Sequence, residues 1–401
     1  MIDVVLVTNY FHFEFEKSSS RYLFLCDLIS KDKDINLELI TSTFYHTSKK
    51  QRVFEKEYLK NLPYKTTLIY EPDYSKNISL KRLYSHKVFS RNVLEYLKER
   101  KQPDILYVVV PSLDLADSVS KYAKRNNIKL IIDIQDLWPE SFKMALNIPI
   151  LSNIIFYPLL RQANSIYSRA NKIVAVSDTF VERACKCNKN KNGLSVYIGT
   201  DVERVRKIID NYNDCVLDKK EKFWIGYIGA LGHSYNIKLI IDAMHELQKQ
   251  IDVKFIVMGN GVLRKEFEEY AKIKNVNCEF LGMVQFEKMI KILSNCDVAV
   301  NPIVDASVST IINKVGDYAA VGIPVVNTQN SKEYRHLIEK YHAGINCSND
   351  SYLEVVNAIL EILNNEELKE KMSNGQRMMA DDLFDRNRSY KKILDIIKEG
   401  V

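Results

Sequence analysis

Three evenly spaced glycines follow an apolar segment in the middle of the chain. Phe223–Ile228 is apolar, Gly226, Gly229 and Gly232 lie in and after it, and a helical pattern begins at Asn236. Glycines let backbone N–H groups approach a phosphate closely, and the start of a helix carries unpaired donors and partial positive charge. The G-x-x-G-x-x-G spacing differs from the dinucleotide-binding and P-loop motifs. It therefore predicts an anion site without naming the ligand.

Two side chains near these glycines have more than one reading. His233 either donates to a phosphate or caps the turn. A second glycine turn, Gly259 and Gly261, ends the next predicted strand, and Arg264 follows it. Both turns should open at the same carboxyl edge of a parallel sheet, where ligands of open α/β sheets bind. Arg264 would reach a diphosphate there or pair with Glu268 one turn along the helix.

Three acids in the first half of the chain surround the end of another apolar strand. Asp133 and Asp136 flank the strand end, and Glu140 begins the next helix. Such carboxylates can hold a hydroxyl or take a proton, but N-capping of the helix is the alternative. The spacing does not decide which acid faces a reacting centre.

Short β-branched runs alternate with helical patterns along the whole chain, which predicts an α/β fold of parallel, doubly wound sheets. The chain has 401 residues, 46% hydrophobic and 27% charged. A single core stops growing at about 250–300 residues, so two domains are expected. The predicted ranges are residues 1–200, a polar connection at 201–222, residues 223–387, and a last helix in 388–401 that packs on either domain.

The charge is unevenly distributed between the halves. Residues 1–200 contain 30 Lys and Arg against 21 Asp and Glu, whereas the rest contains 27 against 30. Basic residues are dense between Lys49 and Lys101, among them Arg52 and Arg82, with aromatic residues interleaved. This favours a solvated basic face, or else a membrane surface or phosphorylated acceptor, and the sequence shows no compact nucleic-acid-binding module.

Several classes of protein are excluded or not indicated. The longest apolar runs fall short of the roughly 20 residues needed to cross a bilayer, and the N-terminus has no basic region typical of an export signal. The seven cysteines follow no zinc-like or disulfide-framework spacing. The D-x-D sequence at Asp32 and Asp34 reads as a surface turn and not as a metal site. A cytoplasmic location without metal or cofactor is expected.

One segment of the second half resembles a known family closely. Residues 301–326 give a strand, a polar loop, and a helix with Lys314 and Asp317 three residues apart before A-A-x-G-x-P-V-V. This resembles the donor-site segment of family 4 retaining glycosyltransferases, which have the GT-B fold of two Rossmann-like domains facing a cleft. The likeness extends to the glycine turns and to D-x-W-P-E at 136–140, and is nearest to bacterial enzymes that assemble capsule, O-antigen or exopolysaccharide.

The resemblance implies roles for residues of the second half. Asp317 matches the acid that holds the ribose hydroxyls of the nucleotide donor, and Lys314 matches a basic position near the donor phosphates. Eight residues before Asp317 the family often has a glutamate against the donor sugar, but this chain has Ser309. The sugar contacts then fall to hydroxyls such as that of Ser309 and to the backbone, or else Ser309 is a simple loop residue. The loop 281–284 is where the nucleobase is expected. Ala230 and Tyr235 replace the usual phosphate-site arginine and lysine, so Lys314 must compensate with Arg264 and backbone donors.

In the first half, the resemblance implies that Asp136 faces the transferred sugar, either holding it or receiving the acceptor proton. Glu140 is the second candidate contact there. Arg21 would clasp an acceptor phosphate or simply begin a helix.

The implied reaction moves a sugar from a nucleotide-sugar donor to a polyprenyl-diphosphate-linked saccharide, with retention of configuration and no metal, at the inner face of the cytoplasmic membrane. Alternatives are a nucleotide-sugar epimerase of the same architecture and a non-catalytic assembly partner.

Overall fold

The structure, a computed structural model, describes residues 1–16, 21–53, 56–77, 79–141, 149–190, 192–212, 217–304 and 311–399. The chain divides into two compact units. Unit 1 contains Met1–Val196 and Tyr390–Val401, and unit 2 contains Tyr197–Ser389.

Unit 1 is built on a seven-stranded parallel sheet in the order β5-β2-β1-β6-β7-β8-β9. Its strands are β1 (Ile2–Thr8), β2 (Ile35–Ser42), β5 (Lys65–Ile69), β6 (Ile105–Val110), β7 (Lys129–Ile134), β8 (Lys172–Ala175) and β9 (Gly193–Ser195). All six residues of β6 are buried. Such a continuous apolar run is typical of a parallel strand that helices cover on both faces.

Unit 2 is built on a six-stranded parallel sheet in the order β12-β11-β10-β13-β14-β15. Its strands are β10 (Phe223–Ile228), β11 (Val253–Met258), β12 (Cys278–Gly282), β13 (Val298–Asn301), β14 (Val325–Asn327) and β15 (Gly344–Asn346). The predicted α/β class with two Rossmann-like domains is confirmed.

The strand order of each sheet changes direction once, next to its first strand. In unit 1 this point lies between β1 and β6, and in unit 2 it lies between β10 and β13. The connections on either side run to opposite faces, so a crevice opens at the carboxyl ends of these strands. Each crevice is therefore a candidate ligand site.

The helices alternate with the strands as the sequence predicts. Those of unit 1 are α1 (Arg21–Ser30), α2 (Lys56–Lys60), α3 (Leu80–Glu99), α4 (Leu113–Arg125), α5 (Pro149–Arg169), α6 (Asp178–Cys185) and α16 (Lys391–Glu399). Those of unit 2 are α7 (Val202–Asn211), α8 (Ile237–Leu247), α9 (Arg264–Ile273), α10 (Phe286–Ser294), α11 (Lys314–Val321), α12 (Lys332–Tyr341), α13 (Tyr352–Leu363), α14 (Glu366–Met379) and α15 (Arg386–Ser389). Among the helices of the described residues, none is both long and apolar enough to cross a membrane.

Some short elements differ from the sequence prediction. The antiparallel hairpin of β3 (Phe44–Tyr45) and β4 (Lys50–Gln51) was not predicted, nor was β15. Each of these strands has two or three residues, too few to show a periodic pattern. The predicted connection at 201–222 contains α7, which buries Val202, Val205 and Ile208 in the core of unit 2.

The C-terminal helix, whose packing the sequence leaves open, belongs to unit 1. Helix α16 buries Ile393, Ile396 and Ile397 in the core of that unit. Lys398 lies 2.5 Å from Asp32, an acid of the D-x-D sequence. The units therefore meet in the sequence at 196/197 and 389/390, whereas the predicted ranges change at 200 and 387.

Candidate functional site

The two glycine turns of unit 2 pack against each other. The Gly229 N–H donates to the Met258 carbonyl at 2.9 Å. Gly259 has φ +156°, and a Cβ on it would lie 1.7 Å from the Gly229 carbonyl oxygen. A Cβ on Gly261 would lie 2.2 Å from the Leu231 carbonyl oxygen. Gly259 and Gly261 therefore have a structural reason to be glycine, which is the close approach of two backbones.

The region after these turns is open. Among the described residues, and leaving aside the glycine and its chain neighbours, no atom lies within 4 Å of the position that a Cβ on Gly232 would occupy. His233 is exposed, and α8 begins after Asn236, whose side chain accepts from the Leu239 N–H at 3.3 Å. The helix start predicted at Asn236 is confirmed, and the Asn236 side chain caps the helix.

The ammonium of Lys314 is buried beneath the Gly229 turn. Its side chain is 7% exposed, and its Nζ lies 4.0 Å from the ring centre of Tyr227 and 4.5 Å from that of Tyr235. A Cβ on Gly229 would lie 3.4 Å from this Nζ. Within the described residues the amine has no hydrogen-bond partner. The two π faces are its electrostatic neighbours, and they leave its charge uncompensated.

Burial has a clear electrostatic consequence for Lys314. Desolvation lowers the pKa of the amine well below its ordinary value, because a charge that leaves water without a counterion is unstable. An anion in the crevice between β10 and β13 would supply that counterion and restore the charge.

Tyr318 fixes the position of the helix that carries Lys314. Its hydroxyl accepts from the Ile228 N–H at 3.1 Å and donates to the Val300 carbonyl at 3.2 Å. This contact ties α11 to the ends of β10 and β13. The helix ends at Gly322, which has φ +79°, a conformation that glycine adopts without strain. Lys314, at its first residue, is thereby held at the crevice.

Asp317 lies one turn after Lys314 and has partners of its own. Its carboxylate is partly buried, makes a hydrogen bond with the Thr200 side chain and lies near Arg386. Desolvation raises the pKa of Asp317 to about 6, although both neighbours oppose the rise. Folding thus favours the protonated acid. The free energy of unfolding therefore falls as the pH rises through this range, because the ionised carboxylate is disfavoured in the folded chain.

Arg264 forms the helix-surface pair that the sequence analysis left open. Its Nε donates to Glu268 at 2.7 Å and its Nη2 donates to the Phe280 carbonyl at 3.0 Å. The guanidinium therefore lies at the end of β12, next to Gly282, where the resemblance places the nucleobase and not the phosphates. Ser309, the predicted donor-sugar contact, lies outside the described residues.

Asp136 lines a cavity in unit 1. The cavity measures about 240 Å³ and lies at the carboxyl ends of β1 and β6. Its lining consists of Asn9, Tyr10, Phe11, His12, Tyr45, His46, Arg82, Pro111, Asp136 and Trp138. The carboxylate accepts from the Trp138 indole N–H at 3.1 Å and from the Ser141 hydroxyl at 2.5 Å. These two donors fix its orientation at the cavity wall.

The acceptor role predicted for Arg21 is wrong. Its guanidinium is buried, and it pairs with the fully buried Asp133 at 3.2 Å. It also donates to the Val196 carbonyl at 2.8 Å, and Asp133 accepts from the Tyr107 hydroxyl at 2.6 Å. This network ties α1 to the sheet, so neither charge can meet a ligand.

Glu140 also has an ion-pair partner within unit 1. Its carboxylate accepts from Arg183 of α6 at 2.5 Å, and it does not line the cavity. The structure thus separates the three acids of the first half, and Asp136 is the one that faces open space.

Sequence reasoning missed Arg82 and the histidines as neighbours of Asp136. The basic and aromatic residues between positions 49 and 101 were visible, but their convergence was not. They reach the cavity from separate segments, among them the β3–β4 hairpin and the start of α3. Long-range packing of this kind leaves no local spacing signal.

Comparison with known proteins agrees with the geometry of unit 2. Residues 222–365 match the model of the family described as Glycosyl transferases group 1. This segment is therefore similar to a group 1 glycosyl transferase domain. It includes both glycine turns, Arg264, Lys314 and Asp317.

Two curated relatives resemble parts of the chain. An uncharacterized glycosyltransferase, MJ1178 of Methanocaldococcus jannaschii, is 25% identical over 51% of this chain and 53% of its own. The other, from Campylobacter jejuni, is named as an α-1,4-N-acetyl-D-galactosaminyltransferase for a GalNAc-GalNAc-diNAcBac-diphosphoundecaprenol, and is 24% identical over 43% of this chain and 47% of its own. The chain spans about half the length of the curated relatives it matches.

A solved structure shows the likeness of the whole fold. HepE of Anabaena, crystallised in complex with UDP, has a TM-score of 0.72 to this chain, covers 100% of both chains and is 15% identical. The chain has the GT-B fold.

The glycine turns of the group 1 domain give a testable contrast. Gly259→Ala should destabilise unit 2 by more than about 2 kcal/mol, because its Cβ would overlap the Gly229 carbonyl. Gly232→Ala, which meets open space, should change stability by less than about 0.5 kcal/mol. Urea unfolding followed by Trp224 fluorescence in a Trp138→Phe background measures both. An unchanged midpoint for Gly259→Ala would contradict the packing of the turns.

Proposed function

We propose that this chain is a retaining glycosyltransferase that moves a sugar from a nucleoside-diphosphate donor to a hydroxyl of a saccharide acceptor. The observation that carries the proposal is the buried, unpartnered ammonium of Lys314 beneath the Gly229 turn in the group 1 domain. A diphosphate is the anion that such a domain would receive there. The complex of the structural neighbour HepE with UDP supports the choice of UDP as the first ligand to test.

Lys314 would act on the leaving group. As the bond between sugar and diphosphate breaks, negative charge builds on the phosphate oxygens, and an ammonium held in a low-dielectric site stabilises that charge strongly. The helix α11 fixes the ammonium before the reaction, so no reorganisation is needed at that step. The open turn at Gly232 and the start of α8 add backbone donors for the same phosphates.

Asp317 would hold the ribose. A carboxylate can accept from two neighbouring hydroxyls, which suits a pentose. Because Asp317 already interacts with Thr200 and Arg386, ribose binding would have to share or replace the Thr200 contact. Arg264, at the end of β12, would lie beside the base. The turns around the diphosphate would contain Gly229, Gly232, His233, Gly259 and Gly261. Ser309 remains a proposed sugar contact.

Asp136 would hold the acceptor hydroxyl and receive its proton. The donors Trp138 and Ser141 fix one oxygen each, and the remaining lone pairs of the carboxylate face the cavity. Lys314, charged once the diphosphate supplies its counterion, would do the work that a metal ion does in other phosphate-transferring sites, so we propose that turnover needs no metal.

The acceptor is proposed to be a polyprenyl-diphosphate-linked saccharide at the inner face of the cytoplasmic membrane, in the assembly of a bacterial surface polysaccharide. The name of the Campylobacter relative supports a lipid-linked acceptor. The start of α3 supports contact with a membrane, because Leu80, Leu83 and Tyr84 are exposed there beside the exposed Lys81 and Lys87. Apolar side chains flanked by lysines suit an anionic lipid surface.

The role of Lys314 is tested by Lys314→Met. UDP should raise the Tm of the wild-type chain, and the variant should lose most of that shift, with affinity reduced about 10- to 100-fold, because a charge-assisted contact contributes about 1.5–3 kcal/mol. The unliganded Tm should stay the same or rise, since the variant removes an uncompensated buried charge.

Lys332→Met is the matched control, because Lys332 is also the first residue of a helix but is exposed. It should leave the UDP shift unchanged. A large drop in the unliganded Tm of Lys314→Met together with a retained UDP shift would indicate a structural lysine and contradict the proposal.

The role of Asp136 is tested by Asp136→Asn. The substitution keeps the size of the side chain and removes the charge, so turnover should fall by at least about 100-fold while the UDP shift stays unchanged. The assay measures UDP release from a panel of UDP-sugars with an undecaprenyl-diphosphate-linked saccharide, once with EDTA and once with added Mn²⁺.

The exposed Asp73→Asn serves as the control for Asp136→Asn. Full activity of Asp136→Asn would remove that residue from the mechanism. Wild-type activity that EDTA abolishes and Mn²⁺ restores would refute the metal-independent form of the proposal.

A further inference from the structure

The cavity that contains Asp136 also contains Arg82, which forms no ion pair with an acid of the described residues. Arg82 donates through Nη2 to the Tyr10 hydroxyl at 2.8 Å and through Nη1 to the Asn77 carbonyl at 2.6 Å. Its Nε is buried and has no hydrogen-bond partner among the described residues. Arginine has five N–H donors. Hydrogen bonds from Nη1 and Nη2 orient the guanidinium. The other N–H donors and the positive charge of Arg82 can interact with another partner.

Trp138 supports this guanidinium and not a sugar ring. Arg82 lies over the indole at 4.9 Å, and the imidazole of His86 stacks on the same side chain with a ring separation of 6.1 Å. Trp138 is only 8% exposed. With its ring covered by protein, the tryptophan is not available for the stacking that saccharide-binding sites use. The polar contact in this part of the cavity falls to Arg82.

A second cation stands beside the first. Lys49, in the β3–β4 hairpin, donates to the Asn77 side-chain oxygen at 2.6 Å and lies 3.1 Å from Nδ1 of His46, which lines the cavity. Asn77 therefore contacts both Lys49 and Arg82. In the described parts of the chain, Lys49 also forms no ion pair.

Three acids in this part of unit 1 have other partners. Glu71 accepts from Ser85 at 3.0 Å and from Asn9, and its burial raises its pKa. Glu16 pairs with Arg52 at 2.8 Å. Asp136 is held by its own two donors. The positive charge at Arg82 and Lys49 is therefore not neutralised locally.

The histidines respond to this field. The pKa of His46 is lowered to about 4, first by burial and then by Lys49 and Arg82. The pKa of His86 is lowered to about 3, again by burial and then by Arg82. Two geometric features agree: the cavity is open, and neither cation forms an ion pair within the described residues. The lowered histidine pKa values are consistent with the second feature, because these cations contribute to them after burial.

We propose that this cavity binds an oxyanion, either a carboxylate or a phosphate, that belongs to the acceptor, with Arg82 as its main donor and Lys49 beside it. The inference rests on the proposed function and adds that the acceptor is acidic close to the hydroxyl that reacts. A carboxylate would come from an acidic sugar, and a phosphate from a phosphorylated or diphosphate-linked one.

The two tryptophans of the chain provide the assay. Trp138 lines the cavity, whereas Trp224 is fully buried in unit 2. In a ¹⁵N spectrum of the full chain, the indole N–H signal of Trp138 should shift saturably with inorganic phosphate or with glucuronate at constant ionic strength. The Trp224 signal should not move. Glucose is the neutral probe and should bind at least about 10-fold more weakly than the better anion.

Substitutions of Arg82 and Lys49 test whether these cations bind the anion that shifts the Trp138 signal. Arg82→Gln should weaken the better anion at least about 10-fold, and Lys49→Gln should weaken it by a smaller factor. Lys81→Gln, which removes the same charge from the exposed neighbouring residue, should have no effect. If Arg82→Gln melts before the titration, Lys49→Gln carries the test.

The results identify the source of the oxyanion and show which of the two proposals fails. Tighter binding of phosphate assigns a phosphorylated acceptor, and tighter binding of glucuronate assigns an acidic sugar. Equal binding of glucose, no movement of Trp138 with any probe, or binding that neither variant weakens would overturn the inference. The UDP-induced Tm shift, measured on the same samples, reports on unit 2. If UDP raises the Tm but no probe moves the Trp138 signal, this inference alone is rejected. If UDP does not raise the Tm of the wild-type chain, the proposed function is rejected.

Discussion

An uncompensated ammonium under a backbone turn is the constraint on which the account of unit 2 depends. Burying a charge without a partner costs several kcal/mol in proteins, so a fold retains one where a ligand supplies the missing counterion. The elements around Lys314 all serve this arrangement. Tyr227 and Tyr235 shield the amine, Tyr318 ties its helix to two strands, and Gly229 leaves room above it.

Unit 1 uses the same edge of its sheet for a different kind of site. Its cavity also opens where the strand order changes direction, but its charged groups, Asp136 and Arg82 among them, come from distant segments of the chain. A fixed carboxylate and a fixed guanidinium can orient a hydroxyl and an adjacent anion together. The two units thus offer different chemistry, a crevice with a buried amine in one and a cavity lined by an acid and a cation in the other.

The sequence predicted long, regular features well and long-range contacts poorly. Strands β10 and β11 have the predicted bounds because each is a mostly apolar run that a glycine follows. Lys314 was found through a family resemblance, since a lone helical lysine carries no signal. Arg21 was misread because its partner, Asp133, lies 112 residues away, and a charge at a helix start looks exposed until the sheet is folded against it. Arg82 was visible only as part of a basic stretch.

A crystal structure of the chain with UDP tests the central claim most directly. The account predicts a phosphate oxygen at about 2.7–2.9 Å from the Lys314 Nζ, above the Gly229 turn, with the lysine still packed between its two tyrosines. A diphosphate bound elsewhere, or a Lys314 amine that stays unpartnered while UDP occupies the crevice, would contradict it.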